Sequence, residues 1–96
     1  MHAVTRSYSG QGASELFDRI SAASDEVEGL LRAVEGFASY TLFRTEDGGV
    51  TVTVCQDKTG TDESLQVARN WVAANASDVG VGAPTVAEGP VEMHLA

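Results

Sequence analysis

Two tyrosines and two arginines are the residues best suited to hold a small polar ligand. In an extended chain, side chains two apart share a face, so Arg6 and Tyr8 stand together, as do Tyr40 and Arg44. A tyrosine and an arginine converging in a cavity would bind an anionic or phenolic group. The same residues could instead pack across strands with the guanidinium groups reaching for water. Trp71 beside Asn70 could stack its indole on a flat ligand, or serve as a large core or interface residue. Adjacent helical residues point about 100° apart, so only one of the pair can face a given pocket squarely.

Other reactive types are sparse. His2 and His94 sit beside the two termini and could supply a general base near neutral pH, or could be surface residues at fraying ends. No further residues with metal-ligand spacing accompany them, and no metal or other cofactor is expected. Cys55 is the only cysteine, which excludes an intrachain disulfide. It falls late in a valine-rich run and reads as a packing residue, since a nucleophilic thiol needs a neighbouring base or helix N-terminus. Gly10-Gln11-Gly12 lies where a phosphate-binding loop would, but Glu15 and Asp18 follow it and the fingerprint is incomplete. It reads as an ordinary connection.

Composition bounds the functions available. The 96 residues suffice for a single domain, spanning 1–96, with a small core. Hydrophobic residues form 43% and charged residues 21%, a balance that supports a globular chain. The formal net charge is −8, and the six basic residues are dispersed. No basic stripe is available to displace counterions from nucleic acid, so nucleic-acid binding is not expected. Nor is there an apolar run of the roughly 18 residues a membrane span needs. The first residues lack the pattern of a leader peptide, and a cytoplasmic location is expected.

The elements that must position these residues can be read from periodicity. Residues 2–9 are rich in β-branched and aromatic types and predict a strand. From Ser14 the period changes: Leu16, Ile20, Ala23, Val27, Leu31 and Val34 recur at spacings of three and four, predicting one long helix capped by Ser14. Gly36 follows, where a left-handed residue can end it. Strands at 37–45 and 49–56 flank Asp47-Gly48, a strong hairpin signal. Val50, Val52 and Val54 alternate with Thr51, Thr53 and Cys55, so both faces of that strand are fairly apolar. A second helix is predicted from Thr61 as cap, with Leu65, Ala68, Val72 and Ala76 as its buried stripe. Residues 78–84 form a loop, and 85–95 a last strand interrupted at Gly89-Pro90. The order βαββαβ, with right-handed crossovers, gives an α+β ferredoxin-like domain: a four-stranded antiparallel sheet with two helices on one face.

Several of these segments resemble one family. An N-terminal strand and helix lead to Glu35-Gly36-Phe37-Ala38-Ser39-Tyr40, then an Asp-Gly turn, a valine-rich strand and an acidic-capped helix. This is similar to the dimeric α/β-barrel superfamily that includes the antibiotic biosynthesis monooxygenases. Glu63-Ser64 through Asn70-Trp71-Val72 resembles small members with a tryptophan late in the second helix. The resemblance implies a homodimer in which two sheets pack face to face, with a ligand pocket between each sheet and its helices. It departs where those monooxygenases often carry a tryptophan after the third strand, since Gln56-Asp57-Lys58 stands there. The asparagine–tryptophan–histidine set of the haem-degrading relatives is not matched in position. Two functions follow as expectations. One is a homodimer binding a small hydrophobic or aromatic ligand through Arg6, Tyr8, Tyr40, Arg44, Trp71 and His94. The other is a cofactor-independent monooxygenase acting on an aromatic substrate.

Overall fold

The structure is a computed structural model and describes residues 1–95. Its elements run β1 (His2–Ser9), α1 (Ala13–Ala22), α2 (Ser24–Arg32), β2 (Phe37–Thr45), β3 (Gly48–Cys55), α3 (Lys58–Asn75) and β4 (Thr85–Pro90). The four strands form one antiparallel sheet in the order β2-β3-β1-β4. This is the ferredoxin-like fold expected from the pattern. No helix among the described residues is long and apolar enough to cross a membrane.

Three helices replace the expected two. The long helix breaks at Ala23, whose φ of −106° and ψ of 26° lie outside helical values. The apolar stripe nevertheless continues across the break, with Leu16, Ile20 and Leu31 all buried. The N-cap of α1 is Gly12, not Ser14. Gly12 has φ 81°, and a Cβ there would meet the Val79 carbonyl oxygen at 2.7 Å, so glycine is required on both counts. Gly12 thus lets the 79–81 stretch approach closely. Gly36 takes φ 80°, as its place after the apolar stripe predicts.

The cap of α3 is Asp57, four residues before the expected Thr61. The Asp57 carboxylate accepts from the Gly60 N–H at 3.0 Å and caps the helix. Thr61 is fully buried and its hydroxyl donates to the Lys58 carbonyl at 3.0 Å. Gly60 is needed here because a Cβ would crowd Cys55, where α3 crosses β3.

The helices cover one sheet face, where Val4, Arg6, Tyr8, Thr51, Thr53 and Cys55 are buried. Pairing of Arg6 with Thr51 and of Tyr40 with Thr53 places these residues on a common face. The opposite face carries Val50, Val52 and the exposed Phe43, with no helix against it. The last strand ends at Pro90, so 91–95 do not extend it.

Candidate functional site

Arg6, Tyr8, Tyr40 and Trp71 come together between the sheet and the helices. Arg6 is only 7% exposed, and its Nη1 donates to the Tyr8 hydroxyl at 3.1 Å. The guanidinium carbon also lies 5.8 Å from the centre of the Tyr8 ring, within cation–π range. Tyr8 in turn meets Phe17 edge to face, with ring centres 5.9 Å apart. Phe17 is fully buried on α1, so Tyr8 is fixed from both sides.

Tyr40 projects from β2 onto the same face. Burial pushes its hydroxyl above the usual tyrosine range, while the neighbouring Arg6 pulls it down. Beside it, the Thr51 hydroxyl faces the Tyr40 hydroxyl, and Trp71 Nε1 is buried without a hydrogen-bond partner. Buried polar atoms are nearly always paired. The Trp71 N–H beside the Arg6 cluster is thus a donor that the chain itself does not use.

Cavities adjoin this cluster. The larger holds about 570 Å³ between α1, α2 and β2, with Ile20, Val27, Leu31, Phe37 and Leu42 as apolar lining and Tyr40 among them. A narrow space of about 30 Å³ follows, lined by Arg6, Tyr40, Trp71, Val27 and Leu31. Tyr40 therefore borders both spaces, and Arg6 lies in the wall of the inner one. At the mouth, Glu28 accepts from Arg32 at 2.7 Å.

The remaining sequence candidates lie elsewhere. Arg44 shares a face with Tyr40 but donates to Asp18 at 2.9 Å and to the Ser14 carbonyl at 3.0 Å, clamping β2 to α1. It lines none of the cavities described here. His94 lies beyond β4, is exposed and lines none of these cavities. His2 shares a hydrogen bond of 2.9 Å with Glu88, which holds that carboxyl below its ordinary range together with Lys58. Cys55 is fully buried, and burial pushes its thiol up, away from nucleophilic readiness. Thr51 was not singled out from sequence because an alternating threonine carries no signal of which face is covered.

No protein-family model and no curated protein matches the chain. Solved structures do share its fold. The haem degrader MhuD of Mycobacterium tuberculosis, solved with two haems in its active site, superposes with a TM-score of 0.66 at 17% identity, covering 99% of this chain and 98% of that one. A dimeric ferredoxin-like protein from an uncultured marine organism gives 0.65 at 10% identity, covering 99% and 95%. The monooxygenase from the ActVA-Orf6 gene of Streptomyces coelicolor, in complex with nanaomycin D, gives 0.63 at 18% identity, covering 99% and 89%. These likenesses place the chain in the fold shared by monooxygenases of this type and haem degraders.

Proposed function

We propose that this chain is a homodimeric small-molecule-binding protein whose ligand is a flat, largely apolar molecule with one polar group. The carrying observation is the cavity of about 570 Å³ between sheet and helices, whose apolar wall of Ile20, Val27, Leu31, Phe37 and Leu42 is joined by Tyr40, which also borders the inner space beside Arg6, and by Ser21, Ser24, Glu28, Arg32 and Ser39. That volume lies within the range of small-molecule sites. The ligand's apolar body would lie against Ile20, Val27, Leu31 and Leu42. Its polar atom would meet the Tyr40 hydroxyl, with Arg6 and Trp71 behind.

The dimer belongs to the same reading. Val50, Val52 and Phe43 leave an apolar sheet face without cover, and a second sheet would bury it. The dimeric neighbour of the same fold supports that arrangement. A cytoplasmic location fits a chain whose single cysteine is buried and unpaired.

For haem, the ligand of the Mycobacterium tuberculosis neighbour, the cavity offers no imidazole or thiolate, since neither histidine nor Cys55 lines it. Tyr40 is of a type that can ligate haem iron as phenolate, but burial favours its protonated form. A metal-free aromatic molecule fits these donors better. An oxygenase that starts by deprotonating its substrate needs a base in the cavity wall. Glu28, the carboxylate in the lining, is tied to Arg32, and Tyr40 stays protonated at neutral pH. Binding is therefore the reading the geometry supports best.

Titration with 2-naphthol should shift the amide resonances of Ile20, Val27 and Leu42 saturably. Resonances unchanged at millimolar 2-naphthol would refute the assignment.

A further inference from the structure

The chain carries six basic residues, and four of them are matched with acids. Arg19 pairs with Asp78 and Glu15, Arg32 with Glu28, Arg44 with Asp18, and Lys58 with Asp62 and Glu88. Arg6 and Arg69 make no ion pair among the described residues. In a chain of net charge −8, acids are plentiful, yet these two cations have none.

Both line one cavity of about 360 Å³, which shares no lining residue with the α1–α2–β2 cavity. Its walls are Leu65, Arg69 and Val72 of α3, Arg6 and Tyr8 of β1, and the segment 81–86 leading into β4. No carboxylate appears in that lining. Arg6 is 7% exposed, its guanidinium donating to the Tyr8 hydroxyl and facing the Tyr40 hydroxyl, both neutral partners, while Arg69 is exposed. A buried guanidinium without a counter-charge is unfavourable, and a second like charge nearby adds to the cost. An anion supplied from outside relieves both.

We propose that this cavity binds an amphipathic carboxylate, its anionic head between Arg6 and Arg69 and its apolar body against Leu65, Val72, Val81 and Val86. The planar fork of arginine matches a carboxylate's two oxygens. The apolar wall of Leu65, Val72, Val81 and Val86 beside the two cations suits a carboxylate that carries an apolar chain. Here α3 contributes Leu65, Arg69, Val72 and Ala73, all beyond its first turn, so the side chains alone supply the charge.

The probe is octanoate, with octanamide as the neutral match and octylamine as the cation, titrated into the full chain and followed by amide resonances. Octanoate should shift Arg69, Val72 and residues 81–86 saturably. Octanamide should bind about tenfold more weakly. Arg69 is exposed, so Arg69→Gln keeps the fold, and it should weaken octanoate binding by about fivefold. Equal binding of octanoate and octanamide would overturn the proposal. So would an Arg69→Gln affinity equal to the parent's, or octanoate shifts confined to Ile20, Val27 and Leu42.

Discussion

The Arg6 guanidinium donates to the Tyr8 hydroxyl at 3.1 Å, two residues along the same strand and on the same buried face. Strand alternation makes the pair neighbours, on the face that the helices cover. The bond gives a buried cation an acceptor, while the Tyr8 ring receives its charge at 5.8 Å. Tyr8→Phe keeps the ring and removes the acceptor. It should lower stability by about 1–3 kcal/mol, the cost of leaving a buried donor unpaired. Urea unfolding at neutral pH measures this, and an unchanged midpoint would mean that water reaches Arg6.

Tyr40 should ionise above the ordinary tyrosine range, because burial disfavours the phenolate more than Arg6 favours it. A native-state pKa raised above the unfolded one contributes stability below the unfolded pKa, about 10. That contribution is lost as pH rises through the native value. Comparing the alkaline absorbance titration of the parent with that of Tyr40→Phe isolates this residue. Alkaline unfolding should also be less steep in Tyr40→Phe.

Gly49 pairs with Tyr8 on one side and Arg44 on the other, under the ring of Phe17. A Cβ at this position would overlap that ring. Gly49→Ala must displace Phe17, and with it the Tyr8 contact that steadies Arg6. The expected loss is about 2–3 kcal/mol, in the range of an overpacked core. Thermal unfolding checks it, and Gly82→Ala, where a Cβ meets nothing within 4 Å, is the control.

The order of elements and the hairpin were legible because glycines and alternating apolar residues mark them directly. The break at Ala23 was not, since alanine is a strong helix former and the spacing from Ile20 to Val27 runs through it unbroken. The start of α3 was misplaced because Asp57 and Thr61 are both good caps, and only the bond to Gly60 distinguishes them. For the site, alternation correctly paired Arg6 with Tyr8. It equally paired Tyr40 with Arg44, and the intervention of Asp18 from α1 cannot be read from a strand pattern. Arg69 did carry a signal: it stands four residues after Leu65 and three before Val72, a cation on an apolar stripe.

The uncovered sheet face makes its own prediction. Phe43 is 48% exposed and projects from β2 beside Val50. Phe43→Lys places a charge where the second sheet would pack, so the protein should become monomeric with its circular dichroism unchanged. Sedimentation velocity at micromolar concentration distinguishes the two states. A Phe43→Lys protein that remains dimeric would move the interface to another face.

Native mass spectrometry of freshly purified protein, alone and with 2-naphthol, tests the reading of a ligand-binding homodimer most directly. The account predicts twice the chain mass and a small adduct that denaturation releases. A monomer at micromolar concentration that takes up no 2-naphthol would contradict it.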